Sequence, residues 1–235
     1  MSSTPADGPT SRVVIAIDGP SGSGKSSTAR GVATRLGLDF LDTGAMYRAA
    51  TWLALDSGTD LDDTAAVAAL VATADLVMGL DPSAPVVSIE GTDVTAAIRE
   101  PRVSAAVSKL ATNLDVRRHL VAEQQRIITR SARGIVAEGR DITTVVAPDA
   151  DLRVLLVADP HARVARRHTE LGDRVTTDEV TDQVLRRDRD DATVSEFEQA
   201  AEGVTVVDST DLGLAEVVEL ICSMAGRPDR ISEDA

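Results

Sequence analysis

From residue 19 the chain reads Gly19, Pro20, Ser21, Gly22, Ser23, Gly24, Lys25, Ser26, Ser27, which fits the pattern G-x-x-x-x-G-K-[ST] at every fixed position. Glycines in such a loop let successive backbone N–H groups turn inward on a phosphate, and the helix that follows points its positive end at the same anion. Lys25 is then placed to reach the β- and γ-phosphate oxygens of ATP, and Ser26 to ligate Mg²⁺. A Gly-rich turn that matches by chance is the bland alternative. Lysine is scarce, however, with only Lys25 and Lys109 in the chain, so a lysine at the required place argues for phosphate chemistry.

A P-loop serves kinases, ATPases and GTP-dependent switches alike. The Asn-Lys-x-Asp signature that reads guanine is absent, because the only asparagine, Asn113, is followed by Leu114 and Asp115. Arginines cluster at Arg126, Arg130, Arg133 and Arg140, and seven more lie between Arg163 and Arg189. Some of these belong to helix faces with acidic partners, but the guanidinium fork also grips phosphate bidentately and can build a second anion site. A regulatory nucleotide-binding module would not need one. His119, His161 and His168 have no metal-ligand spacing and read as structural.

Those residues need a framework. The chain has 235 residues, 43% hydrophobic and 26% charged, enough for one sizeable core, so the expectation is a single domain with an insertion. A formal net charge of −14 repels a phosphate backbone and argues against sequence-independent binding to nucleic acid polymers. No apolar run approaches the roughly 18 residues that span a bilayer, and the start of the chain is polar. We therefore expect a cytoplasmic protein with no membrane contact, acting as a monomer. Cys222, the single cysteine, reads as a small buried hydrophobe on a late helix.

Val13 to Ile17 is a short β-branched run of the kind buried on both faces of a parallel sheet. It leads into the Gly-rich loop and a helix from Ser26 to Leu36 that stops at Gly37. Phe40 and Leu41 precede a turn at Asp42, Thr43 and Gly44, followed by a helix from Ala45 to about Leu55. Further strand-like runs at Gly134 to Ala137, Leu152 to Val157 and Val204 to Val207, and a last helix at Leu214 to Met224, predict an α/β fold with a central parallel sheet covered by helices. Asp81 to Thr95 breaks the alternation and reads as a β-hairpin, flanked by helices near Ala65 to Leu76 and Arg102 to Ala111. Residues 1–11 and 226–235 read as tails around a folded body of 12–225.

Three segments, Ile17 to Ser26, Leu41 to Arg48 (LDTGAMYR) and Glu138 to Asp141 (EGRD) followed by Thr144, Val145 and Val146, resemble those of bacterial cytidylate kinases in order and spacing. Arg187 to Asp191 (RDRDD) looks like that family's lid motif, and the likeness runs from about Val13 to Met224. The resemblance implies a P-loop kinase that transfers the γ-phosphoryl group of ATP, with Mg²⁺, to CMP and dCMP. It implies a CMP-binding insertion at about 60–112 and a lid at about 159–195.

Residue by residue, it implies that Gly19 to Ser27 bind ATP, that Lys25 and Arg140 are catalytic, that Thr43 binds CMP, and that Arg48 and Arg140 hold the CMP phosphate. Ser108, Arg117 and Asp141 match positions that read cytosine. This agrees with the base's amino donor at C4 and acceptors at N3 and O2. Arg187 and Asp191 match positions near the ribose, and Arg163, Arg166 and Arg167 lie on an expected lid helix, with one or more of the three reaching the ATP phosphates. The chain departs from the family pattern at Val194, where an arginine is usual, and at Glu198-Gln199 in place of Pro-Leu; Arg186 or Arg189 is expected to substitute. Other readings are a P-loop kinase for UMP or a non-nucleotide acceptor, and a non-catalytic ATP-binding module.

Overall fold

The computed structural model describes residues 12–171, 193 and 199–226. Five parallel strands form the central sheet: β1 (Val14–Asp18), β2 (Asp39–Asp42), β6 (Ile135–Gly139), β7 (Leu152–Val157) and β8 (Thr205–Asp208), in the spatial order β2-β6-β1-β7-β8. The unbroken apolar run of β1 follows from its central place. Ile15 and Ile17 pack with Val32, Val154 and Ile221 under α1 (Lys25–Leu36) and α7 (Leu214–Met224), whereas Ala16 faces Leu41, Met46 and Leu120 under α2 (Thr43–Asp56) and α5 (Leu114–Arg130). Both faces are therefore dry. Cys222 is buried on α7.

The register brings the carboxyl ends of three strands level. Asp42 pairs with Glu138, Ile17 with Glu138 and Asp18 with Gly139. The chain leaves β1 for the far edge strand β2 and later returns on the other side of β1 as β7 and β8, so the crevice at a topological switch point lies above β1.

Two local expectations are corrected. Thr43 and Gly44 are not a turn but the first residues of α2, because Asp42 caps the helix by accepting from the Ala45 N–H at 2.7 Å. The helix α3 (Thr64–Thr73) ends before Leu76, which opens β3 (Leu76–Met78) instead. Apolar residues resume at Leu76 after only Thr73, Ala74 and Asp75, with no Gly or Pro between them to mark the stop. β3 pairs antiparallel with β4 (Val87–Ile89), and β4 with β5 (Thr92–Asp93), so the hairpin belongs to a three-stranded sheet. Its turn uses Glu90 and Gly91, both at positive φ (50° and 71°), the backbone of a two-residue hairpin. A short 3₁₀ turn, Ala97–Arg99, then leads into α4 (Pro101–Ala111). After β6 a single π-helical turn, Ile142–Val146, precedes β7, and α6 (Pro160–Leu171) follows it. Among the described residues no helix is long and apolar enough to cross a membrane.

Candidate active site

The P-loop wraps from β1 into α1. Gly22 sits at φ 76°, and a Cβ there would come within 2.6 Å of the Arg163 carbonyl oxygen, so only glycine fits where α6 presses on the loop. Arg163 donates to the Ser21 carbonyl at 3.0 Å. Arg166 donates to the Ser23 carbonyl at 3.4 Å and to the Ser209 hydroxyl at 2.9 Å, joining the loop to the segment after β8. In this structure both guanidiniums thus engage the P-loop backbone. The side chain of Arg167 and all of Arg174, Arg186, Arg187, Arg189, Asp191 and Val194 lie outside the described residues.

A cavity of about 520 Å³ opens above the carboxyl ends of β1, β2 and β6. Of the residues expected at the site, Ser21, Gly22, Gly24, Lys25, Ser26, Ser27, Thr43, Arg48, Ser108, Arg117, Arg140 and Asp141 line it. Gly19, Pro20 and Ser23 do not; their carbonyls instead accept from Arg140, Lys25 and Arg166 respectively. Ser108 arrives from α4, Arg117 from α5, and Arg140 and Asp141 from the end of β6.

Arg117 and Asp141 form an ion pair in which both side chains are largely buried. Burial raises the Asp141 carboxyl above its ordinary value, and Asp18 nearby adds to this; Arg117 and hydrogen bonds only partly counter them. Arg117 also lies 6.0 Å above the Tyr47 ring, within cation–π range. The pair presents a donor and an acceptor side by side, flanked by an aromatic face.

Two carboxylates here were missed as functional groups in the sequence. Glu138 is 2% exposed and accepts from the Ser26 hydroxyl at 2.6 Å. Its carboxyl is pushed up by burial and by the charge of Asp42, against the pull of Lys25, Ser26 and Arg48. Asp42 pairs with Arg48 at 2.8 Å. Burial would raise the Asp42 carboxyl, but Arg48, the Ala45 N–H and Arg99 outweigh that and leave it below the ordinary range. The signal the sequence held for Glu138 was an acidic residue directly after a strand-like run; that this strand lies beside β1 is seen only in the sheet order. Among the described residues no His, Cys, Asp and Glu cluster forms a closed metal cage. A divalent ion still fits the donors present: the Ser26 hydroxyl, with two buried carboxylates close enough to disturb each other's titration.

A parallel sheet, a P-loop at its switch point and a deep cavity beyond it carrying a second set of arginines define a P-loop phosphotransferase. The chain belongs to the cytidylate kinase family, whose pattern it matches over residues 15–227. It is 54% identical over 217 residues to a cytidylate kinase of Cutibacterium acnes, covering 92% of this chain and 96% of that one. A cytidylate kinase of Nocardia farcinica is 47% identical over 88% of this chain and 90% of its own. Among solved structures, an uncharacterized protein from Eubacterium ventriosum shares the fold, with a TM-score of 0.52 at 10% identity over 92% of this chain and all of that one.

Proposed function

We propose that this enzyme catalyses ATP + CMP → ADP + CDP, with dCMP as an alternative acceptor. One observation carries the reading beyond family membership: a single cavity runs from Lys25 and Ser26 to the Arg117–Asp141 pair. It joins a triphosphate cradle to a base-reading edge. Cytosine offers an amino donor to Asp141 and ring acceptors to Arg117 and Ser108. The segment of about 60–112 serves as the CMP-binding insertion of a single domain spanning 12–225, and about 159–195 as the lid, with Arg187 and Asp191 at the ribose.

No protein nucleophile is needed, because the acceptor is a phosphate oxygen already largely ionised near neutral pH. The work is alignment and charge neutralisation. Lys25 and the P-loop N–H groups hold the β- and γ-phosphates. Arg48 and Arg140, with the first turn of α2 at Thr43, hold the acceptor phosphate in line. Mg²⁺ bound with ATP would neutralise phosphate charge, with Ser26 as ligand and Glu138 accepting from water around the ion. We take the protein to act as a cytoplasmic monomer on free nucleotides, away from membranes and nucleic acid polymers, in keeping with its charge of −14.

The test is ADP release with CMP, dCMP, UMP, AMP and no acceptor. CMP and dCMP should be turned over, with UMP and AMP far behind. Best turnover of UMP would assign another acceptor, and ADP formation independent of any acceptor would make the chain an ATPase.

A further inference from the structure

Arg99 stands apart from the other arginines of the cavity. It ends the 3₁₀ turn before α4 and lines the cavity with Thr43, Gly44, Arg48 and Thr95. Its neighbour Ile98 is 1% exposed and also lines the cavity, while the Ile98 and Arg99 N–H groups donate to the Val94 and Ala96 carbonyls at 2.9 and 3.1 Å. The base of the side chain is thereby fixed while the guanidinium stays exposed.

In a chain with 38 acidic against 24 basic residues, surface arginines readily find carboxylates, and most around this one have done so. Glu100, the adjacent acid, pairs with Arg102 at 2.7 Å. Asp42, across the cavity mouth, is held by Arg48 at 2.8 Å. Among the described residues no ion pair or side-chain hydrogen bond engages Arg99, although its charge reaches Asp42. Arg48 has part of its fork committed to Asp42, and Arg140 donates to the Gly19 carbonyl. Asp42 offsets the charge of Arg48, so a further guanidinium at this end of the cavity would add both charge and donors for the acceptor phosphate, a dianion brought against a triphosphate. We propose that Arg99 is a further binding residue for the phosphate of the acceptor nucleotide, supplied from the insertion side of the cavity. This rests on the reading of CMP as acceptor.

The experiment uses the full chain with Arg99→Ala and Arg99→Lys, titrating CMP at saturating ATP, and measures inhibition by cytidine, which keeps the base and sugar but lacks the phosphate. Loss of one charge-assisted contact should raise the KM for CMP about tenfold in Arg99→Ala. Arg99→Lys should fall between, and the cytidine inhibition constant and the KM for ATP should hold within about twofold of wild type. Arg99→Gln replaces Arg99→Ala if the latter fails to fold. An unchanged KM for CMP, or equal weakening of CMP and cytidine, overturns the proposal, since the second result means Arg99 shapes the cavity without touching phosphate. A wild-type enzyme inactive on CMP would instead remove the functional reading on which the proposal stands.

Discussion

Asp18 and Thr143 are locked together across the sheet: Oδ2 of Asp18 accepts from the Thr143 N–H at 2.8 Å and from its hydroxyl at 2.7 Å, while Oδ1 accepts from the Ile142 N–H at 2.9 Å. Asp18 directly precedes the P-loop, and the turn it holds directly follows Arg140 and Asp141. One buried carboxylate, 2% exposed, therefore sets the distance between the two halves of the site. In Asp18→Asn, an amide NH₂ must face donors. We expect a loss of about 1–3 kcal/mol in urea unfolding and a lower kcat/KM for CMP. Wild-type stability in that variant would show that these bonds contribute nothing net.

Lys25→Ala and Lys25→Met should fold normally, because Lys25 is only partly buried and no core residue is touched, yet turnover should nearly vanish as transition-state charge goes unneutralised. Circular dichroism with ADP-release kinetics decides it. A folded variant with near wild-type turnover would remove Lys25 from catalysis.

Uracil reverses two of the groups that Asp141 and Arg117 would read, placing an acceptor at C4 and a donor at N3. Each mispaired buried group costs about 1–3 kcal/mol, or one to two decades of discrimination. Asp141→Ala should thus reduce kcat/KM for CMP far more than for UMP. Equal losses on both substrates would take Asp141 out of base recognition.

Glu138 sits above its ordinary pKa, with burial as the main cause and Asp42 the next. The folded protein therefore holds more protons than the unfolded chain from the ordinary glutamate value of about 4.5 upward, and through that window this carboxyl's contribution to stability grows as pH falls. Glu138→Gln should raise the Tm near neutral pH, flatten its dependence on mildly acidic pH, and weaken Mg²⁺-dependent turnover. Parallel Tm-against-pH curves for the two proteins would mean that Glu138 carries no such strain.

Arg166 spans α6, the P-loop carbonyl of Ser23 and the Ser209 hydroxyl. Arg166→Ala should loosen the loop and raise the KM for ATP severalfold while leaving the KM for CMP in place, because the acceptor end contacts none of these atoms. A change confined to CMP would contradict the assignment.

Much of the scaffold was legible in the chain. The β-branched run from Val13, the glycines and Lys25 after it, and the stop at Gly37 are local signals, since strand burial, backbone turning and helix termination depend on a few adjacent residues. Leu152 to Val157 is a strand at the bounds its own pattern set. The helix start at Thr43 was hidden because Asp42 could as well open a turn, and only its bond to Ala45 decides between them.

Which polar groups meet was beyond any local pattern. Glu138 and Ser26 are 112 positions apart, and Asp18 and Thr143 are 125; they touch because the strand order places β6 beside β1, and neither residue type announces a partner at that range. Arg163 and Arg166 were expected, from the family resemblance, on a lid helix from which one or more arginines reach the ATP phosphates; α6 lays both on the P-loop backbone. The sequence by itself determined the P-loop, the alternation of strands and helices and the family motifs, all carried by neighbouring residues. The tertiary structure decided which carboxylates are buried against one another and which arginine in the cavity is left uncommitted, because burial and pairing arise only when distant segments share one low-dielectric space.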